Sequence, residues 1–169
     1  VKSVCGDYPA VISFDLGHIE LGDTVSLDNV PFSKIRREIL NQYKRGGMSS
    51  LSWHLRNPLT GGDSWDVSDT TVVKSVLPGG NNHEKFTGWV SKVSAFINSL
   101  QTEDGVKVPV LFRPWHEHTG SWFWWGEKLC TPEEYKALWH MTVDILREDG
   151  VNNALYAYSP GSEPQDTVQ

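Results

Sequence analysis

Val106-Lys107-Val108-Pro109-Val110-Leu111-Phe112 runs without a break into Arg113-Pro114-Trp115-His116-Glu117. The first part is rich in Val, Leu and Phe and reads as a strand; the second gathers polar and aromatic residues where that strand would end. The same arrangement recurs on either side. Val11-Ile12-Ser13-Phe14-Asp15 passes into Leu16-Gly17-His18, Met48 to Trp53 ends at His54, and Asn153 to Tyr158 ends at Ser159-Pro160. Helical spacing fills the intervals. Phe32, Ile35, Ile39, Leu40 and Tyr43 share one face, with Gly46-Gly47 as the stop. Phe86, Trp89, Val90, Val93, Phe96, Ile97 and Leu100 predict a helix from Lys85 to Leu100. Thr131 and Glu134 spell a capping box with Pro132 at the first helical position, and Tyr135, Leu138, Trp139, Thr142, Ile145 and Leu146 form the buried face closed by Gly150. Trp89 and Trp139 are expected in the core.

Strands alternating with helices imply a parallel sheet, because each crossover returns the chain to the same edge. Asp15, His54, Trp115 to Glu117, Tyr158 and Ser159 then collect at the C-terminal ends of the strands, the face where parallel α/β folds place active sites. Between the second strand and the second helix, Asn57-Pro58-Leu59-Thr60-Gly61-Gly62 opens an irregular stretch expected to last to Glu84, a length usually tied to function. No Gly-rich phosphate turn follows any strand, which removes the nucleotide-binding form of the open sheet. Four strands cannot close a barrel, which takes eight strand–helix units and about 250 residues.

Composition narrows the ligand. With 169 residues, 38% hydrophobic and 21% charged, the chain is a globular unit of about one domain. A net charge of −6 without any basic cluster argues against nucleic acid and anionic membranes, and the longest apolar run falls far short of a membrane span. Val1-Lys2-Ser3 has neither an initiator Met nor a signal-peptide core, so the start reads as a cut. Cys5 and Cys130 are expected to be two unbridged, buried thiols, with a disulfide as the lesser option. Aromatic residues stand out instead: 8 Trp, 5 Tyr and 6 Phe.

Four of those Trp lie between Trp115 and Trp125, around Glu117. A carboxyl walled by indoles is desolvated and keeps its proton towards neutral pH, as a general acid must, and indole faces suit the C–H faces of sugar rings. A structural Glu beside an aromatic core would leave the same signature. His116, His118 and His54 also permit a metal reading, weakened because no further ligand lies at suitable spacing and because His116 and Glu117, as strand neighbours, would face opposite ways. Ser121 lacks both a Gly-x-Ser-x-Gly context and a nearby base. His83 and His140 suggest only solvent or packing.

Arg113-Pro114-Trp115-His116-Glu117 followed by Gly120-Ser121-Trp122-Phe123-Trp124-Trp125-Gly126 resembles glycoside hydrolase family 26, the β-mannanase family. The resemblance extends to Tyr8-Pro9-Ala10-Val11 with Phe14-Asp15, to Ser52-Trp53-His54, to Gly62-Asp63-Ser64-Trp65 and to Tyr158-Ser159-Pro160. It implies an α/β fold, a (β/α)8 TIM barrel, and a retaining endo-β-1,4-mannanase acting on mannan, glucomannan or galactomannan without cofactor or metal. By that resemblance Glu117 is the acid/base at the end of the fourth barrel strand, His116 supports it, Trp122 stacks on a bound sugar, and His54 and Trp65 line the subsite of the reacting mannose. Arg113, Trp115, Asp15 and Tyr158 support the site.

The acid/base should end the fourth strand, yet only two strands precede Val106 to Phe112. Residues 1–169 are therefore expected to be the second to fifth units of a catalytic barrel truncated at both ends. The family's nucleophile, a Glu near the seventh strand, has no match; Glu163 is the only late Glu and reads as a loop residue. The resemblance further implies a secreted, periplasmic or cell-surface enzyme, a monomer at full length. Two other readings stay open: a non-catalytic carbohydrate-binding barrel relative, and a family member acting on β-1,3-xylan or mixed-linkage β-glucan.

Overall fold

A computed structural model describes residues 2–161. Strands β1 (Val11–Asp15), β2 (Met48–Ser52), β3 (Val110–Arg113) and β4 (Ala154–Tyr156) form one sheet in the order β1-β2-β3-β4, every pair parallel. Before β1 lies a single helical turn, α1 (Lys2–Cys5); the crossovers carry α2 (Phe32–Lys44), then α3 (Val72–Val76) with α4 (His83–Asn98), then α5 (Pro132–Glu148). Right-handed crossovers between strands taken in sequential order place all the connecting helices on one face of the sheet. An open doubly wound sheet reverses its strand order at a switch point and is covered on both faces; this sheet does neither.

The register separates the two faces. Leu51 sits beside Phe112, and both are buried with Val110 under Ile35 and Ile39 of α2, Phe86, Val90, Val93 and Ile97 of α4, and Leu138 and Leu146 of α5. On the opposite face Val11 lies beside Met48 and Leu111 beside Leu155, and Val11, Met48 and Leu155 stay 54%, 46% and 60% exposed. The core therefore sits between sheet and helices, and an apolar inner face is left open.

Several elements differ from the sequence expectation. Strand β3 begins at Val110, not Val106, because Pro109 has no N–H to offer a ladder; Lys107 bridges back to Gln101 instead, and Val108 N donates to the Leu100 carbonyl. Strand β4 is likewise shorter than Asn153 to Tyr158, and β2 stops at Ser52. The stretch expected to be irregular up to Glu84 contains α3, whose Val72, Val73 and Val76 are all buried; five residues are too few to show a helical period. Trp89 and Trp139 are half-buried at the edge of the core, not inside it, Trp89 beneath the Lys85 ammonium and Trp139 against Tyr158. Cys5 is exposed and Cys130 half-buried, so they are not two buried thiols, and no disulfide joins them. Burial pushes the Cys130 thiol up to about 12. The capping box of α5 forms as the sequence spells it, Glu134 N donating to Thr131 Oγ1 and Thr131 N to Glu134 Oε2, a device worth ~1 kcal/mol. Among the described residues no helix is long and apolar enough to cross a membrane. Glu163 lies outside the described residues.

Candidate active site

Asp15 and Ser52 close the C-terminal ends of β1 and β2 side by side. Asp15 Oδ1 accepts from Gly17 N at 2.7 Å and His54 N at 3.2 Å, while Oδ2 accepts from Ser52 Oγ at 2.6 Å and faces His54 Nδ1 at 2.6 Å. Burial drives the Asp15 carboxyl upward, yet the hydrogen bonds from His54, Ser52 and Gly17 outweigh it and hold the group below the ordinary aspartate value. Beyond Asp15 the line continues, His54 Nε2 lying 3.0 Å from His116 Nε2. Trp65 stacks on the His54 ring at 5.4 Å and 8°, and Phe123 touches the rings of His54, Trp65 and His116. Four aromatic rings and one carboxylate thus make a continuous wall.

The segment after β3 leaves strand geometry at once. Trp115, Glu117 and Ser121 have φ of 52°, 57° and 56°, in the left-handed region that costs a non-glycine residue ~1–3 kcal/mol. Neighbouring elements hold it there. Tyr135 Oη of α5 donates to the Trp115 carbonyl at 2.6 Å, Trp125 Nε1 to the His116 carbonyl at 2.9 Å, Glu117 N to the Ser159 carbonyl at 2.8 Å, and Arg113 Nη1 to Ser159 Oγ at 2.9 Å. Strand alternation therefore does not govern His116 and Glu117, contrary to the expectation that they face opposite ways.

The Trp cluster divides by burial. Trp115, Trp124 and Trp125 are fully buried and pack edge to face, Trp115 also donating from Nε1 to Thr142 Oγ1. Trp122 and Trp65 are each 48% exposed. Glu117 is half-buried, and its Oε2 accepts from Trp122 Nε1 at 3.1 Å. The carboxyl is thus flanked by an indole edge at the rim, not enclosed on all sides as the sequence suggested, since most of the indoles around it belong to the core. The Trp122 ring lies against Gly120, where an added Cβ would stand 2.1 Å from Cη2.

Some roles had no sequence signal. Glu20, in a turn-like Ile19-Glu20-Leu21-Gly22, is buried and accepts from Trp53 Nε1 at 3.0 Å and Arg56 N at 2.8 Å, holding the backbone on both sides of His54; burial raises its carboxyl above the ordinary value against the pull of these bonds. Ser52, Gly120 and Phe123 were legible only as parts of motifs. Tyr158 stands apart from the Asp15–His54–His116 line, its ring packing on Tyr135 and Trp139 of α5. His116 and His118 diverge: His118 Nδ1 meets the Trp125 carbonyl and its ring stacks on Tyr135 at 3.7 Å, so the pair shares no ligand position. Among the described residues no group of three or more His, Cys, Asp or Glu is placed to hold a metal ion.

A carboxylate, two facing imidazoles and two exposed indoles stand together on the C-terminal rim of a parallel sheet. The chain belongs to glycosyl hydrolase family 26, whose family model matches residues 1–169. It is 38% identical over 167 residues to a mannan endo-1,4-beta-mannosidase of Bifidobacterium adolescentis, covering 95% of this chain and 16% of that protein. Against a mannan endo-1,4-beta-mannosidase of Bacillus subtilis it is 26% identical over 172 residues, covering 95% of this chain and 46% of the relative. Among solved structures, a family 26 β-mannanase from Bacteroides ovatus superposes with a TM-score of 0.95 at 64% identity, over 96% of this chain and 47% of that one. The chain thus spans half or less of the length of these relatives. Family 26 structures are TIM barrels, and the four-stranded parallel wall with its helices is a fragment of that barrel.

Proposed function

We propose that this chain forms the acid/base side of a retaining endo-β-1,4-mannanase. The observation that carries the reading is the Glu117 carboxylate, half-buried at the strand-end rim and held by the exposed Trp122 indole. Glu117 protonates the glycosidic oxygen as the bond breaks, then takes a proton from the water that releases the glycosyl-enzyme. Trp122 offers a stacking face to a sugar, and His54 with Trp65 lines the subsite of the reacting mannose. His116, Arg113, Trp115 and Asp15 hold that geometry, and Tyr158, beyond β4, supports it at one remove by packing on Tyr135 and Trp139 of α5. The nucleophile is a second Glu contributed by chain beyond residues 1–169, which make up the second to fifth strand–helix units of the barrel. The substrate is mannan, glucomannan or galactomannan outside the cell, met by a secreted, periplasmic or surface-held monomer that needs no metal or cofactor.

Incubation of the full-length enzyme with mannan, β-1,3-xylan and mixed-linkage β-glucan, with the first-formed anomer read by NMR, tests this. Hydrolysis of mannan with β-anomer appearing first is expected and should be indifferent to chelator; inversion, or preference for either glucan or xylan, contradicts it. Trp122→Ala should weaken mannooligosaccharide binding by about 10-fold, the order of a lost aromatic face, with an unchanged melting temperature. Gly120→Ala should do much the same without removing the ring, because the new methyl group displaces the indole. Calorimetric titration of both variants checks the pair; intact affinity in both would remove Trp122 from the sugar path.

A further inference from the structure

We propose that Asp15 is a positioning residue that keeps the proton of His54 on Nδ1 and thereby decides which nitrogen of His116 carries its proton. The kinetic consequence rests on the mannanase reading of this rim; the proton placement does not.

A carboxylate can only accept, so the nitrogen that His54 presents to Asp15 Oδ2 at 2.6 Å must bear hydrogen. The Nε2 atoms of His54 and His116 then lie 3.0 Å apart, and one of them must donate. On this proposal the His54 ring is neutral: with its proton on Nδ1, His54 Nε2 is the acceptor and His116 Nε2–H the donor, whereas a doubly protonated His54 would turn that bond round. Burial above all, with the Arg113 charge and any charge on His54 adding to it, pushes the His116 pKa down to about 4 against Asp15 and the Arg113 backbone, which favour a proton there. His116 therefore has one proton to place, and placing it on Nε2 leaves its buried Nδ1 as a lone pair without a hydrogen-bond partner. A buried acceptor left unpaired is tolerated more often than a buried N–H.

Two things follow. Both ring nitrogens of His54 are engaged inside the protein, so towards a sugar His54 presents a ring edge, backed by the Trp65 stack, and no hydrogen bond. Second, an amide at position 15 should invert the system. Two backbone donors, Gly17 N and His54 N, converge on Oδ1 and fix the orientation of an Asn there: its carbonyl oxygen must stay with them. The NH2 group then takes the place of Oδ2, donating to Ser52 Oγ and to Nδ1 of His54. His54 moves its proton to Nε2, and His116 moves its own to the unpartnered Nδ1. Asn fills the space of Asp and keeps the backbone bonds, so a purely structural role predicts no change.

The test is the full-length protein labelled with 15N-histidine, as wild type, Asp15→Asn and Asp15→Ala, with ring nitrogen shifts read at neutral pH and assigned by single His substitutions. Wild type should show His54 protonated at Nδ1 and His116 at Nε2. Asp15→Asn should show both reversed, with kcat/KM on mannan down about 10–100-fold, the range for loss of a group that orients a functional histidine. Asp15→Ala, which supplies neither acceptor nor donor, should show mixed tautomers. His54 doubly protonated or protonated on Nε2 alone in wild type, His116 protonated on Nδ1 there, or wild-type tautomers in either variant, would overturn the proposal. Should Asp15→Asn fail to accumulate, the wild-type and Asp15→Ala spectra decide. A protein with the expected spectra and no action on mannan would refute the mannanase reading and leave this one standing.

Discussion

Glu117→Ala in the full-length enzyme is expected to lower kcat on mannan by about 10²–10⁴-fold, the contribution typical of a positioned general acid. The loss should depend on the leaving group. A sugar alkoxide needs the proton, whereas an activated aryl mannoside departs without it, so the glycosylation step on the aryl substrate should be far less affected. Deglycosylation still lacks its base, so the glycosyl-enzyme should accumulate, and an added anionic nucleophile such as azide, which needs no deprotonation, should restore turnover. Glu117→Gln is the cleaner variant, because residue 117 sits at φ 57° and its amide oxygen can still accept from Trp122 Nε1. Steady-state and burst kinetics on both substrates measure this; equal losses on the two would remove Glu117 from the acid role and leave it a structural partner of Trp122.

The isolated 169-residue chain is expected to aggregate or remain molten and to hydrolyse no mannan, whereas the same sequence within the full-length barrel folds and turns over. Val11, Met48, Leu111 and Leu155 point away from the helices, on a face where the side chains of a closed barrel would interdigitate in layers drawn from all eight strands. With that face open and β1 and β4 unpaired on one side each, the sheet offers both an apolar patch and free edges for association. Sedimentation velocity and scanning calorimetry of the two species provide the check. A soluble monomer with a single cooperative transition from the isolated chain would show that the open face needs no barrel, and would argue for an independent domain.

Much of the fold could be read from residue order, because hydrophobic periodicity is a local property. The α2 face at Ile35 and Ile39, the Thr131–Glu134 box that starts α5 and the parallel sheet all follow from spacing within a single element or from its alternation with the next. Where local rules mislead, a particular residue is responsible. Pro109 cuts β3 short by lacking an N–H, and the valines of α3 occupy too few positions to reveal their helix.

The site divides in the same way. Glu117, His116, His54 and Asp15 could be picked out as types of residue at strand ends, since a parallel sheet sends all its C-terminal ends to one rim; Trp65 and Trp122, in the loops beyond β2 and β3, were marked only by the family resemblance. Their relations could not. That Asp15 grips His54 and His54 meets His116 depends on the register of β1 beside β2 and on a left-handed backbone at Trp115 and Glu117, held by Tyr135 of α5 and Ser159 beyond β4. That three of the clustered Trp are core and Trp122 is surface depends on which side of that bent segment each indole falls. Spacing along the chain decides elements; contact between residues tens of positions apart is settled only when packing closes them together, and there the tertiary structure alone decided.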